Sequence, residues 1–314
     1  MADRTYLIEN TLYAEVTNRI ITALEAGVAP WVRPWRADVE GGRPRNGSTN
    51  RPYRGLNVLL TAMSGFGSSR WYTFNQASLL KGRVRRGEKG TTLILWRFVE
   101  APRVDCSGAV VGEPDPKGAT TKTRTMPLLR SYTVFNTEQI AWPEGSKHAD
   151  AVPTAIADAD NNYDRVEGVV AATGAVISHM GTRAYFSPAE DKIVLPVKDR
   201  FETAAAYHAT VLHELGHWTG HESRLNRDLT GRFRSESYAA EELVAELAAA
   251  FMCADLGVCG ALQHESYISN WLTILKGDKR AIFTASRLAQ QAADYVLVGA
   301  GNARTDAGAD EEAA

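Results

Sequence analysis

The chain has 314 residues, of which 44% are hydrophobic and 23% charged, so it is long enough for one or two globular domains. This balance excludes a fully disordered, collagen-like or coiled-coil chain, and no run of 18 or more uncharged apolar residues predicts a membrane span. The first ten residues lack the pattern of a secretory signal, and three cysteines cannot build a disulfide framework. We therefore expect a reduced, cytoplasmic protein with no membrane partner.

The net charge of −2 conceals a strong asymmetry along the chain. Between Trp31 and Arg97 there are thirteen Lys or Arg residues and only three acidic residues. Part of the compensating negative charge lies in a Gly/Ala-rich acidic tail over residues 301–314, which we expect to be disordered. A basic half within a nearly neutral chain indicates a polyanionic partner for that half.

In the first half of the chain, hydrophobic periodicity and turn residues predict a mixed α+β domain. A stretch rich in Pro, Trp and Arg over residues 29–55 is predicted as an ordered loop or a surface arm, and the polar segment Ala101–Thr125 as a loop. The predicted helices are Tyr6–Ala26, Asn57–Ser64 and a turn at Asn75–Leu80, and the predicted strands are Ser69–Phe74, Thr91–Val99 and Leu128–Asn136, the last two paired with each other.

The segment Trp142–Thr154 contains two prolines and little periodicity, which indicates a domain boundary. We assign residues 1–143 to the first domain, 144–155 to a linker and 156–300 to a mostly helical second domain with a small sheet. Its predicted helices are Asp160–Thr173, Phe201–Thr219, Tyr238–Leu256, Glu265–Lys276 and Lys279–Leu297, with a pair of short strands inside Ala184–Pro196.

The strongest motif is the pentapeptide HELGH at residues 213–217, inside a predicted helix. Two histidines at i and i+4, here His213 and His217, lie on one helical face and can bind the same ion. Glu214 would then lie beside a water activated by the metal and act as the general base. The alternative is a helix with two surface or capping histidines. The rest of this helix is apolar, however, and a buried face of this kind needs partners.

A third protein ligand must come from elsewhere. Along a straight helix His221 would lie about 12 Å from His213, and the position where a metzincin has its third histidine is Ser223. Glu242 and Glu246 share one face of the apolar helix that follows. We predict Glu242 as the ligand and Glu246 as an outer partner of a ligand histidine, and the reverse assignment stays open because only helix phase separates them.

This ligand set of two histidines and a glutamate looks like that of a gluzincin, a zinc-dependent metallopeptidase class. Zn²⁺ is the default ion for it, with Mn²⁺ or another divalent ion as the alternative. The strand within Ala184–Pro196 would let a peptide substrate add to the sheet edge, although an ordinary hairpin explains the same pattern.

The basic segment also contains eight aromatic residues. Cations that contact phosphates, interleaved with flat rings on which bases stack, are typical of single-stranded DNA binding. The alternative is a solvated basic surface above a core of aromatic residues, and Trp96 and Phe74 lie in strand-like runs that favour the core. The residues predicted to contact DNA are Arg33, Trp35, Arg45, Tyr53, Arg54, Asn57, Trp71, Arg85, Arg86 and Lys89.

Several blocks of this sequence, in this order, resemble the ArdC-type antirestriction proteins of conjugative plasmids. The resemblance extends from about Tyr6 to Leu297, and its second half rests on HELGH and on AEELVAEL at residues 240–247. The blocks that carry it in the first half are Pro30–Trp35, Pro44–Ser48, Tyr53–Asn57, Trp71–Ala77 and Val84–Gly90.

The resemblance implies a first domain that binds single-stranded DNA, of a kind also attached to plasmid primases, and a zincin-like second domain. It also implies that the protein protects incoming plasmid DNA from host restriction during conjugation, with a host restriction component as one candidate protein substrate. Two alternatives remain open. One is a DNA-coating protein with a structural or vestigial metal site, and the other is a DNA-dependent protease that clears proteins from DNA.

Overall fold

A computed structural model describes residues 2–27, 30–31, 43–102, 123–149, 163–229, 236–258 and 267–299. It has the expected α+β architecture, with a strand-rich first half and a mostly helical second half. The predicted acidic tail and residues 150–155 of the predicted linker lie outside the described residues. Within the described ranges, no helix combines the length and the apolar character needed to cross a membrane.

The first half is built on a four-stranded sheet. Its strands are β1 (Arg45–Asn46), β2 (Arg70–Thr73), β4 (Thr91–Pro102) and β5 (Thr123–Asn136), in the order β1-β2-β5-β4, and a separate ribbon pairs β3 (Arg83–Val84) with β6 (Ile140–Ala141). The predicted pairing of the fourth and fifth strands is confirmed, with Thr91 opposite Val134. Both strands run further than predicted, to Pro102 and from Thr123, because the backbone ladder continues through polar residues.

Three helices accompany this sheet: α1 (Ala2–Glu25), α2 (Leu56–Ala62) and α3 (Phe74–Leu79). The buried helix α2 completes the free edge of β4 through Asn57. The Asn57 amide donates to the carbonyl of Ile94 at 2.8 Å, and its oxygen accepts from the Ile94 N–H at 2.9 Å. Both polar ends of Asn57 are thus used inside the fold, and the prediction that Asn57 contacts DNA is corrected.

The second half combines a three-stranded sheet with five helices among the described residues. The strands are β7 (Val176–His179), β8 (Tyr185–Ser187) and β9 (Lys192–Leu195), in the order β7-β9-β8, and the helices are α4 (Asp164–Thr173), α5 (Ala204–Trp218), α6 (Glu236–Leu256), α7 (Ile268–Gly277) and α8 (Ala281–Val298). Strands β8 and β9 are the predicted pair, whereas β7 was not predicted. Helix α6 is buried on almost every side from Ala239 onward, so Glu242 and Glu246 lie within the core.

One hydrophobic core runs through both halves. Tyr13 of α1 packs edge-on against Phe283 of α8, with ring centroids 4.6 Å apart, and Trp31 packs against Trp271 of α7 at 5.2 Å. The hydroxyl of Thr17 donates to the carbonyl of Lys279 at 2.7 Å. The first helix therefore packs against the last two, and the halves share a buried interface.

A buried polar network crosses the same interface. The guanidinium of Arg43 forms a two-pronged ion pair with Asp255, near the end of α6, and donates to Gln290 at 3.1 Å. Gln290 donates to Asp294 at 2.9 Å, and Asp294 in turn pairs with Arg54. The segment that contains the predicted DNA-binding residues is thereby attached to α6 and α8.

Candidate metal centre and nucleic-acid interface

Helices α5 and α6 approach closely because both carry small residues where they meet. A Cβ atom at Gly216 would lie 3.1 Å from the Cα and 3.2 Å from the carbonyl oxygen of Ala245, so even a methyl group would require the neighbouring helix to shift. Helix α5 begins at a Thr203 cap, whose hydroxyl accepts the N–H of Ala206 at 3.0 Å. The close packing of Gly216 against Ala245 sets the distance between the histidines of α5 and the carboxylates of α6.

His213, His217 and Glu242 face one another across this contact. Nε2 of His213 lies 3.6 Å from one carboxylate oxygen of Glu242, and Nε2 of His217 lies 3.7 Å from the other. One ligand atom from each of the three residues lies within 4.8 Å of the others. Tetrahedral bonds of about 2.0–2.2 Å place ligand atoms roughly 3.3 Å apart, so the set fits one divalent ion after a small contraction.

The other ring nitrogen of each histidine faces a second carboxylate. Nδ1 of His213 lies 3.4 Å from Glu246, and Nδ1 of His217 lies 3.4 Å from Glu241. Glu246 thus has the place of an outer partner in this geometry, and Glu242 faces both Nε2 atoms. Glu241 was not singled out from the sequence, although its position next to Glu242 in a buried helix was a usable signal.

Arg227 fixes Glu241 in place. Its guanidinium donates to both Glu241 oxygens, at 3.0 and 2.7 Å, and also to the carbonyl of Gly216 at 2.7 Å and the hydroxyl of Thr219 at 2.9 Å. The turn after α5 brings Arg227 back to that helix, since its N–H donates to the carbonyl of Gly220. A chain of contacts therefore leads from Arg227 through Glu241 to His217.

The charges within the site set the pKa values of its histidines. Burial lowers the pKa of His217, but contacts with Glu241 and Glu242 outweigh burial and raise the pKa to about 9. Burial also opposes protonation of His213, yet Glu242 and Glu246 raise its pKa well above the ordinary value. The carboxylates thus favour positive charge at the two imidazoles, and a divalent ion would provide that charge in the site.

Glu214 is buried beside the two histidines. One carboxylate oxygen accepts the backbone N–H of Phe186, and the other is buried with no hydrogen-bond partner among the described residues. Burial raises the pKa of Glu214, against the opposing effect of His213 and His217. A carboxylate in this setting has an oxygen available to a water molecule in the site.

The site opens into a groove of about 940 Å³ between α5, α6 and β8. Its walls include Tyr185, Phe201, Tyr238 and Tyr267. Strand β8 is the edge of its sheet, so its free side borders the groove. A groove of this volume beside a free strand edge could hold part of an extended peptide.

The structure divides the predicted DNA-binding residues into several groups. Arg33 and Trp35 lie outside the described residues. Tyr53 and Trp71 are 2% and 1% exposed and belong to the hydrophobic core, so the prediction that their rings stack on bases is corrected. The guanidinium of Arg54 is paired with Asp294, which assigns Arg54 to the interface between the halves.

Four predicted cations remain at or near the surface. Arg45 is half-buried and donates to Asn50 at 3.3 Å, whereas Arg85, Arg86 and Lys89 are exposed. The loop that carries the last three is held by buried Gln139, whose amide donates at 2.9 Å to both the Glu88 carboxylate and the Lys89 carbonyl. All three exposed cations lie within residues 85–90. We call this anchored segment the basic loop.

Phe74 departs from the expectation that it lies in the core. Strand β2 ends one residue earlier, at Thr73, and the Phe74 ring is 59% exposed. The strand-like pattern did not indicate that the sheet stops there, although Thr73 and Gln76 have the spacing of a helix capping box, a signal that could have shown it. Trp96, the other residue expected in the core, is half-buried and packs against the hydrophobic core.

Comparison with known proteins places this geometry in a family. Residues 164–288 match the zincin-like metallopeptidase family, and residues 10–135 match the N-terminal domain of the anti-restriction factor ArdC. The metal-free crystal structure of antirestriction ArdC from plasmid R388 is similar over 93% of this chain and 98% of that chain, with a TM-score of 0.72 and 37% identity. The chain belongs to the ArdC antirestriction family.

A structure of R388 ArdC with Mn(II) bound has a TM-score of 0.69 and 36% identity to this chain, and the shares of the two chains covered are again 93% and 98%. An uncharacterized protein of Sinorhizobium fredii, y4eC, is 35% identical over 94% of both chains. Two Escherichia coli DNA primases named TraC are 37% and 38% identical over 92% and 90% of this chain. The chain spans only 27% and 19% of those primases. The metal-centre geometry thus lies in the zincin-like part of an ArdC-family protein, and the basic loop lies in its ArdC N-terminal part.

Proposed function

We propose that this ArdC-family protein binds single-stranded DNA and is a zinc-dependent peptidase that protects incoming plasmid DNA from restriction in the cytoplasm of a recipient cell. The observation that supports the peptidase most directly is the facing arrangement of His213, His217 and Glu242 beside buried Glu214. The exposed basic loop supports the DNA-binding part. Two imidazoles and one carboxylate favour Zn²⁺, with Mn²⁺ as the alternative ion.

In this proposal His213, His217 and Glu242 hold the ion, and Glu246 and Glu241 orient the two imidazoles through their Nδ1 atoms. When bound, the ion supplies Lewis acidity that lowers the pKa of a water and polarises a peptide carbonyl. Glu214 accepts the proton of the attacking water and passes it to the leaving amine. Its burial supports this role, because a carboxylate shielded from solvent is a stronger base.

The substrate in this proposal is an extended polypeptide that lies along β8. The free edge of this strand offers backbone groups to a peptide backbone, which gives binding with little dependence on side chains. A host restriction component is one candidate substrate.

The DNA strand in this proposal contacts Arg85, Arg86 and Lys89, with Arg45 at the margin, and Arg33 and Trp35 remain predicted contacts. We expect binding to weaken as salt rises, with a slope in log K of about −0.7 for each phosphate contacted. A salt-insensitive affinity would contradict this part of the proposal.

The two functions are separated by Glu214→Gln and by the double change Arg85→Glu with Arg86→Glu. Glu214→Gln removes the proton acceptor and keeps the size of the side chain, so metal content and DNA affinity are expected to stay unchanged while proteolysis and protection are lost. The double change is expected to lower DNA affinity and keep the metal.

The experiment scores plasmid transfer into a restricting recipient, together with metal content and cleavage of unfolded test proteins with and without single-stranded DNA. Normal transfer with Glu214→Gln would contradict protection by proteolysis. If the charge reversal alone then abolished transfer, coating of DNA would be the protective function. Cleavage of DNA-bound proteins without any effect on restriction would instead support a protease that clears proteins from DNA.

A further inference from the structure

Burial removes Tyr53 and Trp71, two of the three predicted stacking rings, from the DNA surface, and the third, Trp35, lies outside the described residues. Tyr53 and Trp71 are in the core, and Tyr132 and Trp142 are half-buried. Among residues 43–149 whose side chains are described, Phe74 is the only aromatic residue classed as exposed, with 59% of its surface accessible. Within the described part of the first half, Phe74 is therefore the aromatic side chain that is most accessible to a DNA base.

The local structure holds Phe74 at this position. Thr73 caps α3 through a reciprocal pair of hydrogen bonds with Gln76, at 3.2 and 2.9 Å, so Phe74 is the first residue of the helix. Gln76 also accepts from the amide of Asn46 at 3.1 Å. The turn that carries Phe74 is thus attached to the hairpin loop 46–51, which holds its own fold through Asn46.

Charge and polarity surround the ring on both sides along the chain. The hairpin loop ends in exposed Arg51, and after α3 the chain continues through exposed Lys81 and Arg83 into the basic loop. The only acidic residue between 43 and 96 is Glu88, and Gln139 engages it. An exposed apolar ring that is flanked by cations along the chain suits a ligand that combines phosphates with flat aromatic bases.

We infer that Phe74 is a base-stacking residue of the single-stranded DNA site, an inference that rests on the proposed DNA-binding function. Stacking tolerates any base, since every base has a flat face. In a duplex the bases are stacked on one another and paired, so the ring has no free face to meet. Phe74 therefore sets the preference for single strands over duplex, while the cations supply affinity for both.

The test uses the full chain and three probes of equal length: oligo-dT, an abasic oligonucleotide with the same phosphates, and a duplex. We expect the full chain to bind oligo-dT more tightly than the abasic strand. Phe74→Ala should lower oligo-dT affinity roughly 5- to 100-fold, towards that for the abasic strand, and leave abasic and duplex affinities and the salt slope unchanged. Phe74→Trp should keep the oligo-dT affinity of the unmodified chain, and oligo-dT should quench the fluorescence of the introduced tryptophan.

Leu79→Ala is the matched control, because Leu79 is an apolar residue of the same short helix and is 83% exposed. It should leave all three affinities unchanged. Equal oligo-dT affinity for Phe74→Ala and the unmodified chain would overturn the inference and leave DNA binding in place. An equal loss for oligo-dT and the abasic strand would also overturn it, since the loss would not involve bases. Failure of the unmodified chain to bind oligo-dT would instead overturn the proposed function.

Discussion

At the scale of single residues, Glu242 occupies the point between two imidazoles, and Glu246 lies behind one of them. We predict that Glu242→Ala removes most of the affinity for a divalent ion, because two remaining ligands cannot close the site. Glu246→Ala should cost about 10- to 100-fold, as expected for an outer partner. Calorimetric titration with Zn²⁺ and Mn²⁺ measures both, and retention of the ion by Glu242→Ala with its loss in Glu246→Ala would reverse the two roles.

A second residue-scale prediction concerns Arg227, which does not face the ion site itself. Arg227→Gln frees Glu241 to rotate away from His217, so we expect a loss of metal affinity of about 10- to 100-fold with the fold retained. Arg224→Gln is the matched control, because Arg224 lies on the same turn but pairs with Asp191, outside the site. Equal metal affinities for the two variants would show that Arg227 supports only the turn.

The residues of the site differ in how far the sequence predicts them. His213, Glu214 and His217 lie within five residues of one helix, so helical periodicity alone places them on adjoining faces. The relation of Glu242 to Glu246 depends on the rotation of α6 against α5, which a single helix pattern does not contain. Arg227 reaches the site through the backbone turn that follows α5, and no periodic signal marks such a turn.

At the scale of elements, the contact between α5 and α6 depends on Gly216. We predict that overpacking in Gly216→Ala lowers the free energy of unfolding by about 1–3 kcal/mol. The higher helix propensity of Ala offsets up to roughly 1 kcal/mol of this loss. It should also weaken metal binding, since the two helices must separate. Chemical denaturation and metal titration measure these effects.

The control for this change is Gly168→Ala in α4, where nothing lies within 4 Å of the added Cβ atom. There the same substitution should stabilise the protein by about 0.5–1 kcal/mol, because only the helix propensity changes. Stabilisation by both substitutions would show that α5 has room to move away from Ala245.

Elements with strong periodicity were predicted well, and short elements were not. Helix α6 has enough apolar residues to define its limits within two positions, and the β4–β5 pair was predicted correctly except for its far ends, where the strands continue through polar residues. The two-residue strands β1, β3 and β6 exist only because a partner strand lies alongside, which is a tertiary condition. The end of β2 at Thr73 has a local cause instead, since the capping pair of Thr73 and Gln76 competes with strand extension.

At the scale of the whole molecule, the ion pair between Arg43 and Asp255 joins the two halves with 9% and 19% of the two side chains exposed. We predict that Arg43→Leu lowers the free energy of unfolding by about 2–4 kcal/mol, because Asp255 loses its buried partner. Lys276→Ala breaks another pair between the halves, with Glu25, in which 55% and 48% of the side chains are exposed. That change should cost less than about 1 kcal/mol, and equal effects in urea denaturation would contradict the prediction.

The core shared by α1, α7 and α8 also has a consequence for how such proteins are inherited. Exchange of one half between two ArdC-family proteins would bring together interface residues that have never been selected to fit, such as those around Trp31 and Trp271. Recombination is therefore expected to succeed when it transfers both halves together and joins new sequence at the ends. One TraC primase aligns with 92% of the present chain over 27% of its own length, so both halves occur together in it.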